Sequence, residues 1–458
     1  MRTMRPAKTL EGAFNACDPT RPLEADDDRY VDLAIGRGSD GDAVQQCGLQ
    51  ILWSERPLVQ LFAGHRGCGK STELRRLQKD LESKGYFVAY IDAETDLDLE
   101  DTEPTDILLS LIRGLDAALR DAEIEVSEKL LADFGDWFAE VVEESTHKRA
   151  LEAELRTEAE LSANLLFAKL LSKLTGQIKT GVESKKLIRQ RLDPQLSQLL
   201  SRGRRFVEEA RLQIQKKKGK DLVLIVDSLD RIALKELKDG RTSHEVLFIE
   251  RGNLLKEMGC HLVVTVPLSL LHSAKASHLA TIFPDHYILP MVKIAERGTR
   301  TPWRPGQELL KELLRQRLVL EEVLEKAALD RLIHASGGHP RFLMILVRYA
   351  LTAAGRLPVP FDAAEKAVQR LVRDFDRSIP DEHWPLLVQV HRNQTAKNDA
   401  DHQLMLFSLS VLEYQNTERW CDVHPAVRET RAFREAVQKA EEAPDDGASR
   451  DSASRDGV

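Results

Sequence analysis

The sequence predicts an α/β chain: a parallel sheet covered by helices, then a helical section, then two helices and a hairpin. Three observations carry this. Short apolar runs alternate with helical stretches through the first two thirds of the chain, as in strand–helix–strand crossovers. One of those runs, "LVQLFAG", passes into a glycine-rich loop that opens a helix. Another, "LVLIVD", ends on an aspartate.

Taken in order, residues 1–29 are polar and read as a flexible leader, with Asp26-Asp27-Asp28 near its end. "RYVDLAIGRGSD" follows, then an amphipathic helix to about Trp53. "LVQLFAG" is a buried strand and "KSTELRRLQKDLESKG" a helix. "YFVAYIDAE" is the second strand, and 106–220 is helical almost throughout. "LVLIVD", "CHLVVTV" and "HYILPMV" supply three more strands, each after a helical stretch. The sheet ends near Val292, and the Pro/Gly-rich "RGTRTPWRPGQ" reads as a linker into a helical section. Helices near Asp381–His391 and Asp401–Leu409 precede "VLEYQNTERWCDV", a hairpin turning at Gln415-Asn416. The tail after residue 436 becomes too polar to fold.

Composition narrows the function classes. The net charge of −8 gives no global basic field for coating nucleic acid. Five cysteines stand far apart, with no CxxC pair, which argues against a zinc site or a disulfide framework. The N-terminus lacks the apolar core of a signal peptide, and no run approaches a membrane span, so the expected location is cytoplasmic with no membrane partner.

"GHRGCGKS", Gly64 to Ser71, fits G-x-x-x-x-G-K-[ST] in the strand–loop–helix context that gives the motif meaning. Gly64, His65, Arg66, Gly67, Cys68, Gly69, Lys70, Ser71 and Thr72 therefore form a candidate ATP/ADP phosphate cradle. Glycines let successive N–H groups turn inward, and the helix N-terminus adds its dipole. In such a P-loop Lys70 bridges the β- and γ-phosphates, and Ser71 holds Mg2+ through its hydroxyl. Asp227, ending its strand, is the second magnesium candidate. Cys68 reads as a small side chain filling a loop slot. Asp230 is a candidate to orient the hydrolytic water; the other role open to it is a salt bridge with Arg231 or Arg251. Asp92 and Glu94 are the next carboxylates in rank. Thr265, near the end of "HLVVTV", is placed either to sense the γ-phosphate or as an ordinary strand threonine. Ser228 stands where many such enzymes carry a water-activating glutamate. "PLSLLHSAKASHLATIFPD" contains no arginine, which counts against a fast ring motor with an arginine finger.

Two further pieces, "SGGHPRFL" and "WCDVHPAVRE", join these motifs in an order that resembles the STAND and NB-ARC signalling ATPases, a branch of the AAA+-related P-loop NTPases. The likeness spans roughly residues 30–430 apart from a helical insert. It implies an ASCE/AAA+-like core at 30–296 with the insert at about 106–220. A helical lid domain at 297–378 follows, the helix–helix–hairpin order reads as a winged-helix domain at 379–435, and the polar composition as a disordered tail at 436–458. The likeness also implies that Pro340, in Gly338-His339-Pro340, packs on adenine and that Arg341 senses phosphate. His424 would reach the β-phosphate of ADP, although Pro425 replaces the usual aspartate. "AIGRGSD" is similar to the motif that lines the base, with Gly38 for glutamate. The implied function is a slow ATPase switch controlling self-association or an effector in trans, with antiphage defence as an analogy from the family. The alternative is a DNA-associated AAA+ ATPase resembling origin-recognition or transposition loaders.

The insert bears on that choice. Residues 120–160 hold 13 acidic and 5 basic side chains, whereas 169–220 hold 15 basic and 4 acidic, Lys216-Lys217-Lys218 among them. The basic block makes nucleic acid a candidate partner; two helices paired by complementary charge is the other reading. "NDADHQLMLFSLS", where a winged helix would read bases, has no lysine or arginine. It is expected to pack on the ATPase domain instead.

Overall fold

The computed structural model describes residues 5–20, 22–38, 42–142, 162–217 and 219–442. They divide into two compact units. The first comprises Thr20–Pro290 with Asn398–Phe407, and the second comprises 5–19, Met291–Lys397 and 408–442.

The first unit is built on a five-stranded parallel sheet: β1 (Val59–Gly64), β2 (Phe87–Asp92), β3 (Leu222–Asp227), β4 (His261–Pro267) and β5 (His286–Leu289). Their spatial order is β2-β3-β4-β1-β5. All residues of β3 and β4 are buried, which is why they read as unbroken apolar runs rather than alternating ones. One strand, β4, separates β1 from β3, and the registers Gly64↔Pro267 and Val226↔Val264 bring the ends of all three strands to one edge. This strand order is that of the P-loop NTPase fold, with the Gly64–Ser71 loop at the carboxyl ends of the strands.

The insert's helices pack by their apolar faces. Phe134 and Phe138 stack at 4.9 Å, and Phe167 bridges Phe134 at 5.3 Å to Phe206 at 5.8 Å, joining three helices, Glu128–Val142, Ala163–Thr180 and Leu196–Lys216. Among the described residues, Arg202 and Lys217 of the basic block donate to the carbonyls of Asp133 and Glu123 in the acidic block, while two other cations turn elsewhere. Lys185 pairs with Asp98 and Asp101, and Arg189 with Asp101, Glu103 and Asp106, carboxylates that lie before residue 120. Much of the acidic block, 143–161, and Lys218 lie outside the described residues.

In the second unit, the helices His383–Asn393 and Arg431–Glu442 flank an antiparallel hairpin of β6 (Val411–Gln415) and β7 (Arg419–Val423). The helix–helix–hairpin order of the sequence is present, but the middle helix, Ala400–Phe407, belongs to the first unit. Two expectations are corrected. The leader is not loose throughout. Thr9 caps a helix at Leu10–Ala16, Cys17 is fully buried, and Ala7 bridges to Leu318. The tail begins later than expected, because residues 436–442 complete the Arg431–Glu442 helix; 443–458 lie outside the described residues.

Candidate phosphate-binding site

The Gly64–Ser71 loop leaves the end of β1, and Lys70 begins the helix Lys70–Ser83. Gly69 is its N-cap with φ of 110°, where a side chain would be strained and its Cβ would stand 3.2 Å from a nitrogen of Arg37. Arg37 donates to the Cys68 carbonyl at 2.7 Å and lies 3.8 Å from Glu73. The arginine of "AIGRGSD" thus braces the loop from behind; Ser39 and Asp40 of that stretch are outside the described residues. His65 and Cys68 are buried. The Cys68 sulfur lies 3.0 Å from where a Cβ on Gly64 would stand, so the thiol fills a slot beneath the loop. The Thr72 hydroxyl accepts from Leu23 N at 3.2 Å.

Lys70 is 5% exposed. Its ammonium donates to the carbonyls of Gly64 at 2.8 Å and His65 at 2.9 Å, and pairs with Asp230 at 2.9 Å. Three acceptors match the three donors of an ammonium. Burial, the largest single effect, would lower the lysine's pKa, but the charge and hydrogen bond of Asp230 together with Cys68 and the charge of Asp227 outweigh it, so the group is raised and stays charged. Asp230 therefore takes Lys70 as its counter-ion, rather than Arg231 or Arg251. Arg231 turns to Glu94 instead, while Asp92 caps Glu94 N at 3.1 Å, so the lower-ranked carboxylates have other partners.

Asp227, 4% exposed, accepts from the Tyr90 hydroxyl at 2.7 Å, from Ser228 N at 2.7 Å, and from the Ser71 hydroxyl. Burial, then the charge of Asp230, raise its carboxyl above the ordinary range, partly offset by those donors. Arg75 stacks on the Tyr90 ring at 3.6 Å, fixing the phenol that Asp227 uses. Thr265 is fully buried, and its hydroxyl accepts from Leu229 N at 3.1 Å, anchoring the turn that presents Asp230. Ser228 opens that turn with φ of 70°, uncommon for a residue other than glycine.

Ser71 and Asp227 offer one hydroxyl and one carboxylate side by side. That donor set suits a magnesium ion which takes its remaining oxygens from water and phosphate rather than from a protein cage.

The structure brings Lys70, Ser71, Asp227, Asp230 and Thr265 together at the edge of one sheet. Pro340, Arg341 and His424 belong to the second unit. There Pro340 and Arg341 open the helix Pro340–Ala354, capped by His339 Nδ1, which accepts from Phe342 N at 3.2 Å. His424 is fully buried, its Nδ1 accepts from Ala426 N at 3.1 Å, and its ring meets Phe342 at 5.1 Å. The motifs "GGHP" and "DVHP" are therefore neighbours within one unit. Sequence reasoning singled out the stretch of Arg37 as similar to a base-lining motif without its bond to the loop, and missed Tyr90 and Arg75. Tyr90 was open to discovery, since it precedes the named Asp92 by two positions on the strand paired with β3.

No family model matches the sequence, and no curated protein matches it. Among solved structures the chain is similar to a Walker-type ATPase of Pyrococcus abyssi, at 13% identity and a TM-score of 0.42, covering 92% of this chain and 99% of that one. It is similar to the ORC2 protein of Aeropyrum pernix, determined as ADPNP–ADP complexes, at 12% identity and 0.41, covering 94% and 98%. It is also similar to Cdc6p from Pyrobaculum aerophilum, at 12% identity and 0.38, covering 93% and 98%.

Proposed function

We propose that the chain is a nucleotide-operated switch of the STAND kind, which binds ATP with Mg2+ at Gly64–Ser71, hydrolyses it slowly and then retains ADP. The observation that carries this is the turn after Asp227. Ser228, not a carboxylate, follows the aspartate, and the next acid, Asp230, is held by Lys70 at 2.9 Å. Among the described residues no carboxylate directly follows Asp227, and the next acid must first be displaced from Lys70 before it could act on water, which suits slow turnover and retention better than rapid turnover. In this reading Ser71 and Asp227 hold magnesium and Thr265 keeps Asp230 in place, while the roles of Pro340, Arg341 and His424 rest on the family resemblance alone. The nucleotide state would control self-association or a protein effector acting in trans.

The rival, a DNA-associated loader, needs free cations on the insert. Many are engaged. Lys179 donates to the Glu94 carbonyl at 2.7 Å, Arg202 to that of Asp133 at 3.1 Å, and Arg211 pairs with Asp221 at 2.7 Å, beside the Lys185 and Arg189 pairs. Lys185, Arg189 and Arg211 are met by carboxylates and add little to a basic field, whereas Lys179 and Arg202 keep their charge, since a carbonyl does not neutralise it.

The test is to denature freshly purified protein and identify what it releases, then to follow one turnover of added ATP. Near-stoichiometric ADP, or slow conversion with ADP retained, supports the switch. An empty site with brisk multiple turnover overturns it and favours the loader.

A further inference from the structure

We propose that Phe407 and Arg66 are positioning residues of the phosphate loop, so that the helix Ala400–Phe407 is a working part of the nucleotide site. This rests on the reading of Gly64–Ser71 as a nucleotide loop.

Arg66 lies in the loop between His65, whose carbonyl receives Lys70, and Gly67. Its guanidinium donates to the Arg231 carbonyl at 3.0 Å, the residue next to Asp230. It therefore ties the loop to the turn that supplies the counter-ion of Lys70. One face of the same guanidinium lies 3.9 Å from the centre of the Phe407 ring. A planar cation over an aromatic face is attracted and also sterically held. Phe407 also meets His244, with ring centroids 5.7 Å apart, whose Nε2 is 2.8 Å from the Ile232 carbonyl at the end of that same turn. The helix itself packs on Leu268–His272, the turn that leaves β4, the strand carrying Thr265. Phe407 thus sits where the phosphate loop, the Asp230 turn and the exit of β4 converge.

The helix is well suited to this use. It has no lysine or arginine, and His402, Gln403, Met405 and Leu406 are buried. By sequence it is flanked on both sides by segments of the second unit, which the chain leaves at Lys397 and rejoins at Ser408.

The experiment uses the whole chain and two readouts: hydrogen exchange of the Gly64–Gly69 amides without nucleotide, and release of a fluorescent ADP analogue. Phe407→Ala should raise both by about tenfold, a factor equivalent to ~1.4 kcal/mol. Phe407→Trp, which keeps an aromatic face, should stay within about threefold of the parent protein, and Arg66→Ala should match Phe407→Ala. Leu404→Ala, on the same helix but 38% exposed, should leave both unchanged. Rates for Phe407→Ala within twofold of the parent overturn the proposal, as does an equal effect of Leu404→Ala. Should Phe407→Ala fail to fold, the parent protein decides: ADP should protect Ala400–Phe407 together with the loop, and protection confined to the loop overturns the proposal. If the loop loosens in Phe407→Ala but no ADP binds to any form, the tether stands and the nucleotide reading fails instead.

Discussion

Asp230→Asn isolates the ion pair on which the switch reading turns. The ammonium of Lys70 has three donors and three acceptors, at 2.8, 2.9 and 2.9 Å. A phosphate oxygen can be received only if one acceptor gives way, and Asp230, which carries the same sign of charge as phosphate, is the one repelled. Both partners of the pair are nearly fully buried, so removing the carboxylate charge leaves an uncompensated ammonium at a cost of roughly 3 kcal/mol. Asparagine still offers one oxygen, which holds the loss at the lower end of that range. Relief of Asp227, whose carboxyl is pushed upward partly by the charge of Asp230, lowers it further.

The free protein should therefore unfold about 4–10 °C lower than the parent, at ~2–4 °C per kcal/mol for a domain of this size. Once phosphate replaces the carboxylate, parent and variant pay no differential penalty, so the variant should bind ADP up to about 100-fold more tightly. Thermal unfolding with and without ADP, together with calorimetric titration, measures both arms of the cycle. A variant that keeps the parent's ADP affinity but loses hydrolysis by 100-fold or more would refute the competition and restore Asp230 as the residue that orients water. Unchanged melting without nucleotide would refute the energetic weight given to the pair.

Three further outcomes follow from other parts of the chain. Asp422 is held at about 2 because its burial, the largest single effect, is outweighed by hydrogen bonds from His391 and Arg300 together with the charges of Arg428 and Arg300. A depressed carboxylate stabilises the fold above its unfolded pKa, so about 2 kcal/mol should be lost as pH falls from ~4 to ~2, and acid titration of Asp422→Asn should lack that phase. Phe206→Ala, at a fully buried position of the insert's aromatic cluster, should cost about 3–5 kcal/mol in urea unfolding, whereas a shift under 1 kcal/mol would mean the insert folds separately from the core. Burial pushes the thiols of Cys17 and Cys260 up to about 12, so an alkylating reagent at pH 8 should label them only after denaturant is added; rapid labelling of the native protein would contradict their burial.

The sheet and its phosphate loop were legible because their physics is local. A strand covered on both faces must be apolar at every position, as "LVLIVD" is, and a loop that wraps phosphate must carry glycine where the backbone turns left-handed. The leader helix was not legible, since Leu10–Ala16 is too short for its apolar spacing to stand out in a polar stretch. Nor were the partners of the site. Asp230 meets Lys70 from a turn whose Leu229 amide is held by Thr265 on a third strand, whereas Tyr90, two positions before Asp92, could have been found once β2 was paired with β3.

The charge blocks of the insert make the same point about function. Counting lysines and arginines in 169–220 suggests a basic surface, but a formal charge acts at a distance only if no opposite charge meets it first. Lys185 and Arg189 are 7% exposed and are met by Asp98, Asp101, Glu103 and Asp106, from a stretch outside both blocks. Their side chains connect the insert to the start of the Pro104–Asp121 helix, which packs against β2, the strand of Tyr90. Cations that composition assigns to an external partner thus serve the scaffold behind Asp227. Neutralising Lys185 should accordingly show first as a loss of stability, before any change in affinity for nucleic acid.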